Sequence, residues 1–144
     1  MQPDETDWKI INLLRNEYMP NNAIARELGV SEGMIRRRIQ RMKDAGIMRI
    51  KALINPDVLE NQQLAVIAVN VAESKMLASK AQQISQLPGV LSVSIASGRY
   101  DLIAELLVES NRGLVKFLTE TLSQVDGIST TESFLMLKSC NKFV

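Results

Sequence analysis

The stretch Asn22–Lys43, NAIARELGVSEGMIRRRIQRMK, constrains the fold more than any other part of this chain. It splits into two short helical patterns around a turn. In the first, Ile24, Ala25 and Leu28 recur at helical spacing, and Gly29 follows as a left-handed stop. Val30 is an apolar plug and Ser31 an N-cap for the second pattern. There Ile35, Ile39 and Met42 fall at i, i+4 and i+7, while Gly33, Arg36, Arg37, Gln40 and Arg41 share the opposite face. Ala25 is small enough for two helices to cross closely. The pattern predicts a helix-turn-helix whose second helix is shaped to enter a DNA major groove.

An arginine run by itself is an ordinary solvated face, so the placement of charge matters more than its presence. Between Ser31 and Ala52 the basic residues are Arg36, Arg37, Arg38, Arg41, Lys43, Arg49 and Lys51, against Glu32 and Asp44 alone. The whole chain carries a formal charge of only +1. Positive charge gathered on one element of a near-neutral protein is the footprint of a phosphate-binding surface. Ser31 and the first-turn amides are expected at a phosphate, as helix N-termini are. Arg37, central on the outward face, is expected at a base edge, and Arg36, Gln40 and Arg41 at the DNA backbone. Arg38 falls nearer the core flank.

Before this motif the sequence predicts a helix over about Thr6–Glu17, capped by Asp4, with Asp7 completing a variant capping box. Its apolar stripe reads Trp8, Ile11 and Leu14, with Ile10 and Leu13 on the flank; Trp8, the sole tryptophan, is expected in the core or at a domain junction. After the motif, Ala45-Gly46-Ile47 reads as a glycine C-cap, and Met48–Ile54 alternates as a strand. A short basic strand there suggests a wing, with Arg49 and Lys51 near the phosphates. Asn55-Pro56-Asp57 then breaks regular structure.

Beyond this break the pattern changes. Leu64–Val71 reads as a strand apolar on nearly both faces, and Ser74–Leu87 as a helix ended by Pro88-Gly89. Val90–Ala96 is a strand, Ser97–Asp101 a turn, and Leu102–Glu109 a further strand. Asn111 caps a helix carrying Leu114, Phe117, Leu118, Leu122 and Val125, and Ile128–Leu137 is the last strand. The order is βαββαβ, a ferredoxin-like arrangement. Ser85–Val90 echoes Ser123–Ile128 at a constant offset, each at a helix-to-strand junction, as two copies of one βαβ unit would. The expected fold class is therefore α+β: a winged helix-turn-helix over residues 1–53, a linker over 54–62 and the βαββαβ domain over 63–144. Two helices cover one face of a four-stranded sheet, so the other face is expected against a second subunit.

Several function classes are disfavoured by what the chain lacks. There are no histidines, which removes the commonest general base and metal ligand, and no cofactor or metal site is expected. Cys140 is the only cysteine, so no intramolecular disulfide can form, as suits a reducing cytoplasm. The longest apolar run, Leu64–Val69, is far too short to span a bilayer, and the N-terminal residues show no signal-peptide pattern.

Three stretches together, Asp4–Leu14, Ala25–Met48 and Ser97–Leu106, resemble the feast/famine regulators, the Lrp/AsnC family of transcription factors, and the resemblance covers essentially the whole chain. It implies a DNA-binding homodimer that assembles further, often to an octamer, in the cytoplasm and associated with the nucleoid. It also implies sensing of a small molecule such as an amino acid between dimers. The effector site carried over would comprise Ser97, Gly98, Arg99, Tyr100 and Asp101, joined by Thr130, Thr131 and Ser133. The chemistry suits a zwitterion: Asp101 could accept from the ammonium, and backbone N–H groups at Gly98, hydroxyls or Arg99 could bind the carboxylate. The same Gly98 and Asp101 would also serve a plain hairpin turn. The recognition helix opens Glu32-Gly33-Met34 where small or hydroxylated residues are commoner in the family, so no operator sequence is carried over. Two rival functions share this architecture. One is an architectural DNA-binding protein without an effector. The other is an enzyme similar to the sirohaem decarboxylases, which rely on histidines this chain lacks.

Overall fold

The computed structural model describes residues 2–144, and the chain divides after Ala52 into two compact units. In the first, α1 spans Glu5–Asn16, α2 Asn21–Leu28 and α3 Glu32–Asp44. The capping box at α1 is complete: Asp7 donates its backbone N–H to the Asp4 carboxylate at 2.9 Å, and Asp4 returns the bond to Asp7 at 3.1 Å. Ile10, Ile24, Ala25, Ile35, Ile39 and Met42 form the core; the helical spacing predicts all of these but Ile10, which reads as the flank of the α1 stripe and is its buried centre. Gly29 adopts φ 66°, which lets the Val30 N–H turn back to the Ala25 carbonyl at 3.0 Å and close α2 in a Schellman motif. The same pattern closes α3, with Ile47 donating to Met42 at 2.9 Å and Gly46 to Lys43 at 3.0 Å.

In this unit the strand expectation fails, and of the two places expected for Trp8 the core is not the one it takes. Trp8 is 51% exposed and does not join the core. The buried line of α1 runs through Asp7 and Ile10 to the half-buried Leu14, and Trp8 sits one step round the helix on its shoulder. The strand expected over Met48–Ile54 does not form; the segment is irregular and mostly exposed. Alternation alone does not make a strand, because its N–H and C=O groups need a neighbouring strand to pair with.

The second unit holds a four-stranded antiparallel sheet in the order β2-β3-β1-β4, with β1 at Gln63–Val71, β2 at Val90–Ile95, β3 at Leu102–Val108 and β4 at Ile128–Leu135. Helix α4, Leu77–Ser85, follows a 3₁₀ turn over Ser74–Met76. Helix α5, Asn111–Lys116, is capped by Ser110 rather than by Asn111: the Ser110 hydroxyl accepts the Gly113 N–H at 3.4 Å. It continues through a π-helical turn, Phe117–Thr121, into a 3₁₀ turn, Leu122–Gln124. The wider turn lets Leu122, five residues after Phe117, face the sheet beside it. Alternate residues of the two central strands, Ala65, Ile67 and Val69 with Leu102, Ala104 and Leu106, pack beneath Ile84, Leu114, Phe117 and Val125.

The repeated sequence marks a repeated structure. Gly89 precedes β2 and its carbonyl accepts the Leu107 N–H at the end of β3; Gly127 precedes β4 and accepts the Ala72 N–H at the end of β1. The pairing of each outer strand also has a register shift near that point, between Val90 and Ser92 of β2 against β3 and between Asn70 and Val71 of β1 against β4. The helix-free face carries Val66, Ile103 and Leu107, half-buried, and Phe134, 41% exposed. The chain's own final segment reaches this face, where Lys142 bonds Glu105 at 2.7 Å. Val144 and Ile54 exchange both backbone hydrogen bonds, at 2.9 and 3.0 Å.

Candidate functional site

Helix α3 begins at a conventional cap. Ser31 is extended and its hydroxyl accepts the Met34 N–H at 3.3 Å, so the first-turn amides of Glu32 and Gly33 have no intrahelical acceptor. A Cβ added at Gly33 would meet no atom within 4 Å, so this position offers the smallest possible obstacle on an open surface. Gly33, Arg36, Arg37, Gln40 and Arg41 line one continuous outer surface with Asp44 and Ala45, which is the face the helical wheel predicts.

The arginines on this helix are not equivalent. Arg36 pairs with Glu32 one turn back at 2.7 Å, and Gln40 bonds Asp44 at 2.7 Å. Both contacts are exposed, and such surface contacts contribute little to stability. Arg38 is drawn inward: its guanidinium donates to Asp4 at 2.7 Å and to Asp7 at 2.8 Å. Arg41 donates to the other oxygen of Asp7 at 2.9 Å while its side chain stays 52% exposed. Arg37 is exposed and makes no ion pair among the described residues, and Arg49 and Lys51 are likewise exposed, on the irregular segment. The Arg38 guanidinium beside Asp4 holds that carboxyl below the usual carboxylate range, and the two carboxylates in turn raise the pKa of Arg38. Asp7 is the residue the sequence did not reveal: it is fully buried, although it reads as a solvated cap.

In the second unit the turn Ser97–Asp101 lies between β2 and β3, with Ser97, Gly98 and Arg99 exposed and Tyr100 and Asp101 half-buried. Asp101 is engaged locally. Its carboxylate accepts the Val71 N–H at 2.9 Å, and its own N–H donates to the Val69 carbonyl at 3.0 Å and to the Asn70 side chain at 3.1 Å. One carboxylate oxygen, Oδ2, is thus committed to the irregularity at the end of β1, and Oδ1 makes no hydrogen bond among the described residues. Asn70 also donates to the Thr130 hydroxyl at 3.0 Å, so one amide joins Asp101 to β4. The polar interruption of an otherwise apolar strand was the signal for Asn70.

The three β4 residues do not converge on one face. Thr131 and Ser133 stand opposite Val69 and Ile67, on the helix side, whereas Thr130 stands opposite Asn70 on the other side. A strand turns successive side chains to opposite faces, so these three cannot all contact one small ligand on a single surface. The geometry joins Thr130 to the Asp101 turn and separates Thr131 and Ser133 from it.

Comparisons with known proteins bear on both units. Residues 64–142 match the family model described as the Lrp/AsnC ligand binding domain, and residues 3–47 match a winged helix-turn-helix DNA-binding model. The HTH-type transcriptional regulator PF1231 of Pyrococcus furiosus is 36% identical over 135 residues, covering 92% of this chain and 90% of its own length. Among solved structures, the Neisseria meningitidis regulator NMB0573 in its L-Met complex is 25% identical with a TM-score of 0.69, covering 98% of this chain and 94% of that one. Escherichia coli AsnC, at 23% identity, shares the fold with a TM-score of 0.66 over 96% of this chain and 95% of its own.

Proposed function

Since this chain belongs to the Lrp/AsnC family of helix-turn-helix transcriptional regulators, we propose that it reads discrete operator sequences in double-stranded DNA and tunes that binding with a small-molecule effector such as an amino acid. The observation that carries the first half is Arg37, exposed and without an ion pair among the described residues, at the centre of the outward face of α3. An arginine so placed can give a bidentate contact to a guanine edge. Ser31 and the first-turn amides serve one phosphate, Gly33 permits close approach, and Arg36, Gln40 and Arg41 bind the flanking backbone. Arg49 and Lys51 add phosphate contacts from the following segment.

On the effector side, the exposed turn Ser97–Arg99, with Tyr100, Asp101 and Thr130, presents a donor-rich edge and one uncommitted carboxylate oxygen. That combination suits an ammonium and a carboxylate carried on one carbon. Thr131 and Ser133 enter such a site only if it extends around the β4 edge. Residues 1–53 bind DNA, 63–144 oligomerise and hold the effector, and 54–62 transmit between them. The protein acts without catalysing a reaction, in the cytoplasm and on the nucleoid. The apolar residues left on the helix-free face support a homodimer, which assembles further, up to an octamer; light scattering at micromolar concentration checks this, and a monomer overturns it.

Footprinting with and without amino acids tests the whole reading. Discrete protected sites, altered in affinity or spacing by one amino acid, are expected. Uniform coating of DNA, unaffected by any of them, overturns it in favour of an architectural role. A thermal-shift screen identifies the effector, since a ligand at 100 times its Kd adds about 2.7 kcal/mol.

A further inference from the structure

The Asp7 carboxylate is fully buried, and both of its oxygens are taken: Oδ1 by Arg38, Oδ2 by Arg41 and by the Asp4 N–H. A buried carboxylate requires such partners, and both arginines come from α3, three residues apart and so on one face of it. They differ in what they have left over. Arg38 is 21% exposed and bonds two carboxylates. Arg41 is 52% exposed and bonds Asp7 through one terminal nitrogen. Four of the five N–H donors of that guanidinium remain for other partners. Arg41 also lies where two surfaces meet, lining the outward face with Arg36 and Arg37, and a smaller hollow of about 230 Å³ with Met34, Arg37 and Arg38.

We propose that Asp7, from α1, is a positioning residue for DNA recognition: it holds Arg41 as a bridge whose inner edge stays on the carboxylate while its outer edge takes a phosphate. The inference rests on α3 facing DNA, as proposed above, and adds how one of its contacts is set. A long side chain already fixed in its binding geometry loses less freedom when the phosphate arrives. Arginine suits both partners at once better than lysine, because its planar fork spreads five donors in fixed directions while a lysine ammonium gathers its three on one nitrogen at the end of a flexible stem.

Simple electrostatics predicts the opposite sign. Asp7→Asn removes a negative charge near the DNA, and on charge alone it should tighten binding. If Asp7 positions Arg41, the substitution weakens binding instead. The experiment measures DNA affinity against salt for Asp7→Asn, Arg41→Gln, Arg41→Lys, the Asp7→Asn/Arg41→Gln double variant and Arg37→Ala, with melting temperatures for all. Arg41→Gln should lower the salt slope by about one contact. Arg41→Lys should lose several-fold in affinity despite keeping its charge. Asp7→Asn should lose several-fold in the wild-type background and nothing further once Arg41 is Gln. A purely structural Asp7 would weaken binding equally in both backgrounds, and that result, or tighter binding by Asp7→Asn, overturns the proposal. Should Asp7→Asn not fold, the Arg41 variants decide: wild-type affinity for Arg41→Lys, or an unchanged salt slope for Arg41→Gln, is fatal to it. Arg37→Ala separates the two levels. Loss there with normal Arg41 variants removes the bridge alone, whereas no effect at any of these positions removes the orientation of α3.

Discussion

The Asp101 carboxylate accepts the backbone N–H of Val71 at 2.9 Å, tying the start of β3 to the irregular end of β1. Asp101 thereby fastens the turn that the sequence offers as an effector site, whatever else it binds. Removing it leaves a partly buried N–H without its acceptor, and a bond to a charged group is worth about 1.5–3 kcal/mol in general. Half exposure reduces this, so Asp101→Ala should cost about 1–2 kcal/mol in urea denaturation. Asp101→Asn keeps an acceptor at the same place and should cost less. A ligand response lost in Asp101→Asn at unchanged melting temperature assigns the remaining oxygen to the effector; a response retained there puts the ammonium elsewhere.

The two glycines of the repeat predict unequal costs. A Cβ at Gly89, where φ is 84°, would sit 2.9 Å from the Leu107 carbonyl oxygen, which belongs to the sheet backbone and cannot move aside. Gly89→Ala combines that clash with a left-handed conformation that costs an L-residue about 1–2 kcal/mol by itself. At Gly127 the nearest atom is Lys80 Cε at 3.3 Å, on a flexible side chain. Thermal melts should therefore place Gly89→Ala well below Gly127→Ala, and equal losses would show that strand proximity is not what fixes Gly89.

Acid should weaken the first unit in a defined way. Arg38, with the Asp7 N–H, depresses the Asp4 pKa in the folded chain below its ordinary value of 3.8. The stabilisation from this pair is fully present above that value and is lost as pH falls through the lower folded-state pKa. Melting temperature against pH should fall below about pH 4, and Asp4→Asn should flatten that limb while lowering stability at pH 7. A variant with an unchanged acid limb would remove Asp4 as its source.

What could be read from the sequence was what is local. The capping box at Asp4 and Asp7, the Gly29 and Gly46 stops and the helical spacing of Ile35, Ile39 and Met42 are all set within a few residues, and the structure has them. The βαββαβ order was legible for the same reason, because each strand and helix carries its own period and its own turn. What failed depends on partners distant in sequence. Asp7 is buried by two arginines more than thirty residues away, so nothing near it distinguishes it from a solvated cap. Met48–Ile54 alternates as a strand should, but among the described residues it pairs only at its last residue, where Ile54 meets Val144, and no strand forms. Thr130, Thr131 and Ser133 are neighbours in the chain, and the period of two divides them between faces.

Arg37 provides the most direct reading of the DNA interface. Its neighbours on the outward face each have an intrachain partner, Glu32 for Arg36, Asp44 for Gln40 and Asp7 for Arg41, whereas Arg37 has none among the described residues. It therefore gives up no existing contact when DNA arrives, and its central place puts it over the base edges rather than the strands that flank them. Truncating a side chain in such a bidentate contact costs about 1–3 kcal/mol and relaxes preference at one base pair. Arg36→Ala should instead weaken all sequences alike, by a modest amount, because it removes a phosphate contact and also releases Glu32. Selection of bound sequences from a randomised pool distinguishes the two: Arg37→Ala should flatten one position of the preferred site and leave the rest intact. If the preference survives whole, or if Arg36→Ala is the variant that alters it, α3 is rotated in the groove so that Arg37 faces a strand and not the bases.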